Sequence, residues 1–226
     1  MYTLERIKSI ETNYTLPDHV LEVLDALLMK IGGNPLAVSS NKESLKGLLN
    51  KLTADTYNAI SAKILKSKPS LETVDDIFKT AHANMFYSKL YARLCLQMAP
   101  HAEIQQRIVE KCDAYVKDVA NVTAEDRGAT LFVCNLGLNG TVPMQLCTAM
   151  AKALQNAVEG NLDGDEEKTF VYVDHLALVL TQNKAFTDEC ALGPSIQKML
   201  DLDTKRHKGI SLKIIFKYMD IIDHFK

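Results

Sequence analysis

Between its glycine and proline punctuation this sequence repeats one pattern, apolar residues recurring at intervals of three and four, which is the helical period. Leu45, Leu48, Leu49 and Leu52 form one stripe, and Tyr57, Ile60, Ile64 and Leu65 form another after Thr53, a residue suited to cap a helix start. Pro69-Ser70 marks a stop and restart before Leu71, Val74, Ile77, Phe78 and Ala81. Leu90, Tyr91, Leu94, Leu96 and Met98 run to Pro100, and Ile104, Ile108, Cys112, Tyr115 and Val119 give the cleanest amphipathic pattern. Thr123 with Asp126 opens the next helix, Thr141 the one after it, and Asp165 another. Ile210, Ile214, Ile215, Tyr218, Met219 and Ile222 make the last stripe. Phe170 to Val173 is rich in strand formers, but a lone strand has no partner, so the run is predicted to be helical. The helix starts recur roughly every 30 to 45 residues, the range of stacked helical hairpins. The expected fold is therefore all-α, an α-solenoid of about five HEAT-type helical hairpins over residues 43–226, with a helical extension over 1–42.

Charge narrows the function. Lys plus Arg number 26 against 28 Asp plus Glu, a formal charge of −2, which excludes a uniformly basic nucleic-acid coat but leaves room for a local basic face. No apolar run approaches the length of a membrane span, and FVYVDHLALVLT is broken by Asp174 and His175. The N-terminus lacks the apolar core of a signal peptide. The five cysteines are odd in number and form no CxxC, which reads as buried thiols in a reducing compartment, and the expected location is the cytoplasm.

Catalytic patterns are missing. None of the six histidines falls in HxxxH, HExxH or ExxH spacing, and there is no nucleophile elbow or phosphate-binding loop. Glu159 to Lys168 is the most polar segment and is expected to be a mobile loop, and within it Asp163 to Glu167 lacks the full calcium-loop pattern and reads as solvated acidic residues. His175, in an apolar run, reads as a hydrogen-bonded core residue. The expectation is no enzyme activity, no catalytic residue, no metal and no cofactor. What remains is binding. Asp203 to Gly209 is a basic turn entering the last helix, with Lys213 and Lys217 extending the charge. A solvated face and a contact for a phosphate backbone or an acidic protein surface are both open readings of it.

Two segments carry a specific resemblance, Ser44 to Leu65 (SLKGLLNKLTADTYNAISAKIL) and Val74 to Cys95 (VDDIFKTAHANMFYSKLYARLC). They resemble the opening repeats of the middle domain of eukaryotic translation initiation factor 4G. Asn50-Lys51-Leu52-Thr53 matches that family's LLNKLT signature, Ile77 to Ala81 resembles its IDLIFEKA helix, and Tyr91 to Cys95 matches its YAxLC helix. Beyond residue 95 the likeness is one of pattern, with a glycine-containing third repeat at Gly128 to Leu136 and a closing helix at Ser211 to Asp223. The resemblance implies a translation-initiation scaffold that binds and stimulates a DEAD-box RNA helicase of the initiation factor 4A type. It puts the first helicase contact at Asn50, Lys51 and Thr53, with Phe86 beside them as an apolar anchor or else a plain core residue. Arg206, Lys208 and Lys213 stand as a second helicase contact or an RNA contact. The resemblance also implies mRNA and a cap-binding protein as partners, although the cap-binding YxxxxLΦ motif is absent: from Tyr14, His19 fills the leucine slot. The same domain type occurs in RNA-processing and mRNA-decay adaptors, which is the alternative function. The short chain reads as a fragment, a minimal paralogue, or a compact viral or divergent form.

Overall fold

The computed structural model describes residues 44–182 and 192–224. The chain divides into two compact units, Met1–Ser44 and Leu45–Lys226, and the described residues belong almost wholly to the second. The helical extension expected over 1–42 lies outside the described residues, as does Cys190.

Among the described residues the fold is all-helical, with ten α-helices, three short 3₁₀ turns and no strand. The helices are α1 (Leu45–Asn50), α2 (Tyr57–Lys66), α3 (Leu71–Ala83), α4 (Ser88–Met98), α5 (Ala102–Lys117), α6 (Arg127–Leu138), α7 (Met144–Gly160), α8 (Glu166–Leu180), α9 (Gly193–Leu200) and α10 (Leu212–Asp223). The strand-like run Phe170 to Val173 lies inside α8, whose sides are buried almost all round.

The starts follow from capping chemistry. Ser70 and Thr73 form a reciprocal capping box at α3, and Thr123 and Asp126 form another ahead of α6. Asp165 accepts from the backbone N–H groups of Glu167 and Lys168 at the start of α8. Two expected caps sit differently. Thr53 and Thr56 close a turn on each other, the Thr53 N–H reaching Thr56 Oγ1 at 2.8 Å, and α2 begins only at Tyr57. Thr141 gives its N–H and its hydroxyl to Asn139 Oδ1, and α7 begins at Met144 after Pro143. That turn ends α6 in a Schellman arrangement: Gly140 takes φ 79°, and the Thr141 N–H returns to the Leu136 carbonyl at 2.9 Å. Asn139 Nδ2 ties the turn to the Ala92 carbonyl on α4.

From α1 to α8 each helix packs against the one two places on, so α1, α3, α5 and α7 form one run of neighbours and α2, α4, α6 and α8 another. The second run continues from α8 to α10, and α9 packs on α10. Both runs share one core, which holds Ile77, Tyr91, Met98, Ile108, Phe132, Leu154, Leu176 and Tyr218. Full burial of each such side chain is worth about 1.5–3 kcal/mol. The central helix is α6, which touches α3, α4, α7 and α8. Gly128 permits this. A Cβ there would stand 2.1 Å from the His82 carbonyl oxygen and 2.7 Å from that of Ala81, so only glycine lets α6 approach the end of α3 this closely.

The four described cysteines, Cys95, Cys112, Cys134 and Cys147, are free and buried. Burial pushes the Cys112 thiol up to about 12, and Cys95 is raised for the same reason.

Candidate docking surfaces

The residues that the sequence singled out fall on two patches. Asn50 ends α1, and Lys51 begins the turn that leads to α2; both are exposed. Thr53 is half-buried inside that turn, and the Lys51 carbonyl accepts the Thr56 hydroxyl at 2.6 Å. The turn is rigid because Leu52 beside it is fully buried, and the Tyr91 hydroxyl reaches the Leu49 carbonyl at 3.3 Å. Phe86 lies in a 3₁₀ turn, Met85–Tyr87, between α3 and α4. It is 88% exposed, so it is not a core residue. Its turn packs on α3, α4 and α6, while α1 packs on α2 and α3. Helix α3 is thus the shared neighbour of the two sites.

The second patch is the loop before α10. Arg206 is exposed and pairs with Asp203 at 3.3 Å, and Lys208 is exposed. His207 Nδ1 lies 3.0 Å from Asp163 Oδ1, and the Gly209 N–H donates to the Leu162 carbonyl at 2.7 Å. The acidic loop expected to be mobile is therefore tied down by the basic one. The lysines expected on one solvated face separate. Lys213 Nζ sits 3.4 Å above the centre of the Phe170 ring, and Lys217 Nζ pairs with Asp174 at 2.9 Å.

Asp174 is the more consequential member of that pair. Its carboxylate is nearly buried and also accepts from Arg127, so one acid on α8 bridges the start of α6 and the middle of α10. Beside it, His175 is fully buried. Its Nε2 faces the Thr123 carbonyl at 2.9 Å and must carry the proton, while Nδ1 accepts from Thr130 Oγ1 at 2.6 Å. The Tyr115 hydroxyl completes the chain, 2.7 Å from Thr130 Oγ1. Burial holds the His175 pKa below its ordinary value, so the imidazole is neutral and structural.

A third feature was not read from the sequence. A groove of about 630 Å³ runs between α3, α5 and α6 over Phe78, Phe132 and Tyr115. Asp75 on its rim takes Arg107 in a two-pronged contact at 3.1 and 3.0 Å and Lys111 at 2.9 Å, and these hydrogen bonds lower its pKa. Among the described residues no three His, Cys, Asp or Glu side chains gather closely enough to hold a metal ion. No helix among them is long and apolar enough to cross a membrane.

The last helix carries the other missed feature. Its buried face is Ile214, Ile215, Tyr218 and Ile221. Leu212, Phe216 and Met219 are 63, 58 and 43% exposed, so Met219 does not belong to the core stripe in which its spacing put it. Comparison with known proteins adds no assignment: no family model and no curated protein matches this chain.

Proposed function

We propose that Leu45–Lys226 is a stack of about five HEAT-type helical hairpins and acts as a translation-initiation scaffold that binds and stimulates a DEAD-box RNA helicase of the initiation factor 4A type. The observation that carries this reading is Phe86. A phenylalanine 88% exposed on a short ordered turn, within the segment that resembles the initiation-factor domain, has no role in the core. Aromatic side chains held this way are the usual anchors of protein interfaces. The alternating packing from α1 to α8 supports the stacked-hairpin reading.

In this reading Asn50 and Lys51 offer an amide and an ammonium to backbone carbonyls and a carboxylate on one helicase lobe, and Phe86 fills an apolar pocket near them. Thr53 holds the turn that presents them. Arg206 and Lys208 form the second contact, with the other lobe or with RNA. Lys213 is the weaker member of that set, because its ammonium is already engaged over Phe170. A stiff body that grips two lobes favours their closed arrangement by population shift, with no chemistry of its own. Messenger RNA and a cap-binding protein complete the proposed assembly, in the cytoplasm.

The test is a pull-down of the purified chain with such a helicase, using Phe86→Ser and the double variant Asn50→Leu with Lys51→Glu. These side chains are exposed, so the fold stays intact by circular dichroism. Loss of an interface anchor costs about 2 kcal/mol, roughly thirtyfold in affinity. Failure of the folded wild-type chain to bind, together with capture of a helicase from RNA processing or decay, would replace this reading with the adaptor.

A further inference from the structure

The exposed face of α10 is complementary to itself. At about 100° per residue, Leu212, Lys213, Phe216, Met219 and Asp220 all fall within roughly 60° of Phe216. Leu212 and Met219 lie on one side of that line, and Lys213 and Asp220 on the other. Leu212 and Met219 stand about one turn before and after Phe216, and so do Lys213 and Asp220. All five residues are exposed. Asp223, at the end of the helix, is also exposed on this side, and the opposite side is buried in the core through Ile214, Ile215, Tyr218 and Ile221.

We propose that this face pairs with the same face of a second copy of the chain, the two α10 helices antiparallel about a two-fold axis at Phe216. Such an axis reverses position along the helix and keeps each residue on its own flank. Phe216 then meets Phe216. On one flank Leu212 meets Met219, twice. On the other flank Lys213 meets Asp220, also twice. Neither Lys213 nor Asp220 has an ion-pair partner among the described residues. Phe170 beneath the Lys213 ammonium holds it at the edge of the face, where the opposing carboxylate arrives. A parallel pairing would exchange the flanks, setting Lys213 beside Leu212 and Asp220 beside Met219 and leaving both charges without a partner, so charge selects the antiparallel arrangement. One exposed face on a helix of 12 residues, about 18 Å long, makes a small interface, and the dimer is weak and reversible.

The pairing does not depend on the helicase reading, and its test uses no helicase. The full chain is sedimented from about 1 to about 300 µM, a range that covers weak, reversible association. The expected result is a concentration-dependent dimer. Phe216→Glu sets two carboxylates against each other and leaves a monomer. Lys213→Asp and Asp220→Lys each weaken the dimer by about tenfold, since both symmetric contacts turn repulsive. The double variant Lys213→Asp with Asp220→Lys restores it, a recovery that a folding defect could not produce. A wild type that is monomeric throughout, a dimer untouched by Phe216→Glu, or a double variant no better than the single ones overturns the pairing.

Discussion

Gly128→Ala tests the packing most sharply, because a single methyl group meets backbone rather than a side chain that can turn aside. The new Cβ would lie 2.1 Å from the His82 carbonyl oxygen, 2.7 Å from that of Ala81 and 2.8 Å from the His82 carbonyl carbon. Ordinary contact begins near 3.4 Å, so α6 and the end of α3 must part by more than an ångström. Overpacking of this kind costs about 1–3 kcal/mol, and a backbone obstacle puts the cost at the upper end. Alanine recovers about 1 kcal/mol of helix propensity over glycine. The net loss is about 2 kcal/mol, or roughly 4–8 °C in Tm for a domain of this size. Gly160→Ala is the matched control. It stands at the end of α7 with nothing within 4 Å of a new Cβ, and it should raise stability by up to about 1 kcal/mol. Urea unfolding followed by helical circular dichroism reads both. A Gly128→Ala variant as stable as the wild type would refute the close approach of α6 to α3. Because Phe86 lies four residues beyond His82, the same variant should also loosen the turn that presents Phe86, the proposed helicase anchor.

Two more perturbations address the buried polar groups. Asp174→Asn leaves Arg127 and Lys217 without their shared counter-charge and should cost about 3 kcal/mol in denaturant unfolding, more than any exposed ion pair such as Arg206 with Asp203. His175 is held neutral in the fold, its pKa below the unfolded value of about 6.5, so the unfolded chain binds the proton more readily. Its contribution is present above pH 6.5 and is lost as pH falls from there towards the lower pKa of the folded state. The unfolding midpoint should drop between pH 7 and pH 5, and the drop should shrink in His175→Gln, measured against the same variant at pH 7.

The helices were legible because they rest on local rules. Ser70, Thr123 and Asp165 cap where short-range chemistry says they should, and the apolar period carries the rest. Thr141 misled because a neighbour, Asn139, takes both of its hydrogen bonds, a competition that spacing does not reveal. The ion triad on Asp174 joins three helices far apart in sequence and leaves no local mark. Helix α10 hid its outer face for a different reason. Its apolar residues spread over more than half of its circumference, so periodicity could not separate Met219, which faces out, from Tyr218, which faces in. Phe86 likewise could be read as core or anchor until its turn was seen to hold it in solvent.

Stimulation of a helicase through the exposed Phe86, as proposed here, is tested most directly by an ATPase assay. A purified DEAD-box helicase of the initiation factor 4A type is supplied with RNA and ATP, and the wild-type chain or Phe86→Ser is titrated in. The expected result is faster hydrolysis with the wild type, with at least about tenfold more of the equally folded variant needed for the same effect. A folded wild-type chain that leaves the rate unchanged at every concentration would contradict it.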